Sequence, residues 1–167
     1  MRHQRLFLAT VLAGSLAFAA CGGDDEKSDA PQTGGGKGHW SAAQLCSLTD
    51  ETAVGALFTG VDIEESPGID DADWSACVWK DADGGAVSPN LFTINNRDHD
   101  GAEFADSFEP LDLPGANQSV FAENFGGTSA VLATVGDQLL EVDFEPGTVG
   151  GRELAVAIAQ AWMATQA

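Results

Sequence analysis

The sequence predicts an α+β domain: a single antiparallel sheet packed by an N-terminal and a C-terminal helix and stapled by one disulfide. Three observations predict it. Two alternating apolar runs, Ser129 to Val135 and Gln138 to Phe144, flank Gly136-Asp137, a two-residue hairpin signal in which Gly supplies the positive φ of the turn. Leu154, Ala155, Ile158, Ala159, Trp162 and Met163 recur at helical spacing near the C-terminus. Cys46 and Cys77 are left as a pair once Cys21 is assigned to another use.

That other use follows from the first twenty residues. Arg2 and Arg5 form a positive end, and Leu6 to Ala20 is almost wholly apolar before the small pair Ala19-Ala20. Such a run is too short to cross a bilayer core of about 30 Å as a helix and reads as an export signal over 1–20. Phe18-Ala19-Ala20-Cys21 resembles the lipobox of bacterial lipoprotein precursors, although Phe18 stands where Leu is usual. The resemblance implies a diacylglyceryl thioether on Cys21 and cleavage in front of it. Two acyl chains on one residue, at about 0.8 kcal/mol for each buried CH₂, are enough for stable anchoring. The expected address is the outer face of the cell membrane. The competing reading is ordinary secretion with cleavage after Ala20 and a free Cys21.

Residues 21–39 read as a flexible acidic and Gly-rich tether, because GGDDEKSDAPQTGGGKGH carries no large apolar side chain to bury. A coil of that length spans on the order of 20–25 Å. His39 is expected to be a solvated linker residue. Residues 40–167 then form a single folded domain, long enough for one core. All 26 acidic residues follow Cys21, against five Lys and Arg. This excess excludes nucleic acid and bare anionic lipid as partners, and fits either a basic partner or solubility alone.

Within the domain, Thr49 is the expected N-cap of a first helix over 50–58, with Asp50 and Glu51 in its first turn, Val54, Leu57 and Phe58 at helical spacing, and Gly60 as the stop. Trp74 to Lys80 reads as a strand, 81–85 as its turn and Asn90 to Asn95 as the returning strand. Cys77 and Trp79 share one face of the first of these, so a bridge to Cys46 buries Trp79 beside it. Phe104 and Phe108, spaced i,i+4 before Pro110, predict a short helix over 101–108. The Gly136-Asp137 turn sets Ala133 opposite Leu140, Val131 opposite Val142 and Leu132 opposite Glu141, with Glu141 and Asp143 on the face away from the core. Arg152 to Thr165 completes the domain as the C-terminal helix.

A bridge between Cys46 and Cys77 is permitted by export and is worth about 3–4 kcal/mol on chain-entropy grounds. Two Cys with no nearby His are too few ligands for a closed zinc site. Cys46-Ser47-Leu48-Thr49 opening a helix, Cys77-Val78-Trp79 on a strand, an acidic middle and a C-terminal helix resemble an actinobacterial lipoprotein family of unknown function. The resemblance spans most of residues 44–165. It implies the Cys46–Cys77 disulfide and an α/β sandwich similar to extracellular sensor domains, and it implies no reaction.

The search for chemistry is mostly negative. No Gly-x-Ser-x-Gly elbow, Walker loop or His-Glu-x-x-His pair is present. His99, in Asp98-His99-Asp100-Gly101, is the one His of the expected domain and reads as a turn residue. Asp81-x-Asp83-Gly84 and Asp70-Asp71-x-Asp73 place oxygen ligands close together, but neither has the spacing of an EF-hand loop, and DADGG reads as hairpin punctuation. No catalytic residue, metal site or cofactor is expected. The function read from the sequence is a non-enzymatic binding or sensor-like module of the cell envelope, taking a protein, a peptide or a small apolar ligand. The alternatives are a cell-wall-acting hydrolase or enzyme accessory, and a carrier of an apolar ligand held between sheet and helix.

Overall fold

A computed structural model describes residues 39–87 and 89–166, so the export signal, Cys21 and the tether up to residue 38 lie outside the described residues. The elements run α1 (Ala42–Cys46), α2 (Glu51–Gly55), β1 (Ile63–Asp70), β2 (Trp74–Asp81), a 3₁₀ segment (Ala82–Val87), β3 (Asn90–Asp98), β4 (Glu109–Pro110), β5 (Gln118–Phe125), β6 (Thr128–Val135), β7 (Gln138–Phe144) and α3 (Gly151–Ala164). Among the described residues seven strands make one sheet in the order β1-β2-β3-β7-β6-β5-β4, antiparallel at every pairing. The protein is therefore more sheet than helix. The expected single antiparallel sheet, C-terminal helix and disulfide are present; the single N-terminal helix is not.

In its place stand two short helices. Ser41 caps α1 in a capping box with Gln44, and the helix ends at Cys46. Asp50 caps α2 through the Ala53 N–H, taking the role expected of Thr49, and α2 ends at Gly55. Residues 56–60 continue as turns, and Gly60, at φ +85°, marks the stop as expected. Cys46 thus closes the first helix instead of preceding one, and its sulfur meets Cys77 with the Cα atoms 5.1 Å apart. Trp79 lies fully buried on the same face of β2 as Cys77.

The hairpin register matches expectation at every named pair: Val131 with Val142, Leu132 with Glu141, Ala133 with Leu140. One face of the sheet carries Cys77, Trp79, Phe92, Ile94, Val131, Ala133, Leu140, Val142 and Phe144. Against it α3 sets Ala155, Ile158, Ala159, Trp162 and Met163. Burial of these side chains, each worth about 1.5–3 kcal/mol when large, drives the packing. Arg152 then reaches from α3 to the short edge strand, donating to both carboxylate oxygens of Glu109 at 2.6 and 3.0 Å.

The helix expected over 101–108 does not form. Gly101 sits at φ +80° and the segment runs without regular structure. Phe104 and Phe108 instead cover the opposite face of the sheet, over Ala122, Ala130, Leu132 and Leu139. Their i,i+4 spacing serves a sheet surface, because the outward side of β5 and β6 is apolar and needs a cover. The other half of that outer face, on β2, β3 and the end of β7, has no helix over it among the described residues.

Candidate functional site

Alternation along β2 and β3 turns Trp74, Thr93, Asn95 and Arg97 to this uncovered face, since Cys77, Trp79, Phe92 and Ile94 point to the core. Glu141 and Asp143 join them from β7, as the hairpin register requires. Trp74 is 42% exposed, an unusual position for an indole outside a core. Its Nε1 donates to Asn95 Oδ1 at 3.4 Å, and Asn95 Nδ2 donates to Asp143 Oδ2 at 2.8 Å. Thr128 Oγ1, from β6, lies 3.4 Å from Asp143 Oδ1. Hydrogen bonds therefore run over four neighbouring strands, from an exposed indole on β2 through an amide and a carboxyl to a hydroxyl on β6. Beside them Arg97 donates to Glu141 Oε2 at 2.8 Å, and Lys80 lies 4.0 Å from Glu64.

Asn90, Thr93, Asn95, Thr128 and Asp143 line a depression of about 260 Å³ on this face. Burial, helped by the Glu141 charge, pushes the Asp143 carboxyl up to about 7 against the opposing pull of Thr128, Asn95 and Arg97. A carboxyl on a strand otherwise bonded only to polar partners is thus poised between its two protonation states near neutrality. At such a place a group can either donate or accept a hydrogen bond to a ligand.

A second polar group lies at the core-facing end of β2. His39 Nε2 is 2.7 Å from Ser75 Oγ, and that hydroxyl donates to Asp70 Oδ1 at 2.8 Å. His39 is therefore half-buried and bonded, not the solvated tether residue expected, because the folded domain reaches back to include it. The three residue types are those of a hydrolytic triad, but the wiring differs. In a triad the acid holds His Nδ1 and the imidazole takes the Ser proton. Here the acid takes the Ser proton directly, Nε2 is left to donate to Oγ, Nδ1 is buried without a partner, and Ser75 is fully buried. The arrangement is a lock on the chain. Trp40 N–H donating to the buried Asn96 Oδ1 at 3.0 Å and Ala42 N–H donating to Asp70 at 3.3 Å complete it.

The remaining sequence-derived candidates are placed as follows. Cys46 and Cys77 are bonded to each other. Glu65 places a carboxylate near both sulfurs, the one group of three potential metal ligands found among the described residues, and the bridge commits the sulfurs elsewhere. His99 stacks obliquely on Phe104 with ring centres 5.9 Å apart, and its backbone N–H donates to Asp137 O at 2.7 Å. Asp81 accepts from the Asp83 N–H at 3.0 Å, which is the turn chemistry expected of DADGG. Asp70 spends its Oδ1 on Ser75 and Ala42. Cys21 lies outside the described residues. What the sequence reading missed is the Trp74–Asn95–Asp143 face; its signal was parity, since an even-numbered Trp74 must point opposite to Cys77 and Trp79.

No family model, curated protein or solved structure matches this chain.

Proposed function

We propose that this chain is an extracytoplasmic lipoprotein, anchored to the outer face of the cell membrane through Cys21, whose domain is a non-enzymatic binding module. The uncovered half of the sheet is its ligand face. The observation that carries the reading is the exposed Trp74 indole, joined through Asn95 to the part-buried Asp143 on a surface with no helix over it among the described residues. An apolar ring that a soluble domain leaves in water, set beside organised polar groups, is the usual composition of a recognition surface. The lipobox resemblance of Phe18 to Cys21 supports the anchor, and the Cys46–Cys77 bridge agrees with an oxidising compartment. Kinship with actinobacterial lipoproteins of the Cys-x-Leu-Thr and Cys-x-Trp pattern belongs to the same proposal.

The enzyme reading has Ser75, His39 and Asp70 as its strongest feature, and their wiring argues against proton abstraction from Ser75. The apolar-carrier reading needs room between sheet and helix, where Trp79, Val131, Val142, Ile158 and Trp162 are packed together. The test uses the full chain in its native host. Wild-type protein is expected to incorporate labelled palmitate and enter the detergent phase, Cys21→Ala to do neither, and purified protein to turn over no ester, peptide or glycan substrate. Unlabelled wild-type protein, or turnover abolished by Ser75→Ala, would overturn the proposal.

A further inference from the structure

The chemistry of the open sheet face narrows its ligand, on the reading that this face is where the module binds. Its formal charges cancel in pairs: Arg97 with Glu141 at 2.8 Å and Lys80 with Glu64 at 4.0 Å. That leaves Asp143 as the carboxyl without a cationic partner of its own. We propose that the face binds an uncharged carbohydrate, one sugar ring stacking on the Trp74 indole and its hydroxyls bonding to Asn95, Asp143 and Thr93.

Four observations carry it. The Trp74 ring is exposed, and an indole face is an apolar, weakly negative platform that suits the C–H face of a pyranose. Amide and carboxyl groups side by side offer donors and acceptors to neighbouring hydroxyls, and Asn95 and Asp143 are held in place by their mutual bond of 2.8 Å. With its carboxyl lifted to about 7, Asp143 is close to half protonated at neutral pH, so the face as a whole carries little net charge. A depression of about 260 Å³, lined by Thr93, Asn95, Thr128 and Asp143 though not by Trp74, offers the hydroxyls polar neighbours.

A cationic peptide is the rival occupant, since the protein carries a formal net charge of −19. Asp71 and Asp73 bring part of that charge to the turn that leads into Trp74. On the strands themselves Glu64 and Glu141 already have a Lys or an Arg, with which a Lys-rich ligand would have to compete.

The experiment uses the full chain in a zwitterionic detergent that carries no sugar. An array of uncharged hexose, pentose and N-acetylhexosamine oligosaccharides is probed, with a Lys-rich peptide as comparator, and each hit is titrated by calorimetry. At least one oligosaccharide is expected to bind, weakened about tenfold or more by Trp74→Ala, severalfold by Asn95→Ala, and little by Trp74→Phe. Unchanged melting temperatures show that the variants fold. No binding across the array, or binding indifferent to Trp74→Ala, overturns the carbohydrate. Peptide binding lost in Trp74→Ala also overturns it while leaving the face intact as the binding surface, so the two proposals fail separately.

Discussion

Asn95 donates its side-chain amide to Asp143 across the β3–β7 boundary at 2.8 Å, two residues along β7 from the direct pair Asn95–Glu141. The diagonal is what leaves Glu141 free for Arg97 and Asp143 without a cation. Burial, with the Glu141 charge beside it, lifts that carboxyl from its ordinary 3.8 to about 7 against the pull of Thr128, Asn95 and Arg97. The folded state then holds a proton that the unfolded state has lost, so this group's contribution to stability falls as pH rises from about 4 through about 7 and is flat above. Asp143→Asn keeps the shape without the charge. It is expected to be nearly neutral at pH 4 and to stabilise the protein at pH 8, by as much as about 4 kcal/mol if the whole shift is realised. Denaturant unfolding at the two pH values checks the difference between variant and wild type, which cancels the other carboxylates.

Cys46 and Cys77 join α1 to β2, 31 residues apart in sequence. Cys77→Ala is expected to cost about 3–4 kcal/mol, in addition to any packing loss, and to release one titratable thiol at Cys46. Calorimetric melting with and without reductant measures it: reduction should lower the wild-type transition and leave that of the variant where it was.

Gly151, the first residue of α3, lies against the ring of Phe144. A Cβ there would sit 2.6 Å from Cδ2 and 2.8 Å from Cε2. Phe144 cannot swing away, because Phe92 and Phe121 stack on either side of it, each at 6.4 Å. Ala ordinarily improves a helix by about 1 kcal/mol over Gly. Gly151→Ala is nevertheless expected to destabilise, by about 1–3 kcal/mol, since overpacking wins. Urea unfolding checks the sign.

His39 ties the start of the domain to Ser75 at 2.7 Å. His39→Ala should cost about 1 kcal/mol and raise amide exchange at Trp40 to Ala42, leaving exchange in the β6–β7 hairpin unchanged. Hydrogen exchange read by mass spectrometry follows both regions.

Much of this fold was legible because its signals are local. Gly136-Asp137 between two alternating runs fixes a register by itself, and the 3.6-residue recurrence from Ala155 to Met163 fixes a helix. What was hidden depends on partners distant in sequence. β1 reads IEESPGID, with a Pro and a Gly inside it, and is a strand only because β2 lies beside an edge that tolerates both. The Phe104 and Phe108 pair has helical spacing, and nothing local shows that Leu132, across the chain, presents an apolar back to the sheet. Composition alone leaves His39 in the tether, whereas its bond to Ser75 and the bond of Trp40 to Asn96 set the boundary. The candidate face is half legible: the hairpin register puts Glu141 and Asp143 outward, while Trp74 shows its side only through its parity with Cys77 and Trp79.

The claim on which the account rests is that the Trp74 face is occupied in the envelope. Hydroxyl-radical footprinting of intact cells and of the purified full chain measures the oxidation of Trp74 directly, with the exposed Phe125, at the far end of β5, as internal reference. The account predicts that Trp74 is oxidised several times more slowly in cells than in the purified protein when each is normalised to Phe125. Equal normalised oxidation in the two settings would contradict it.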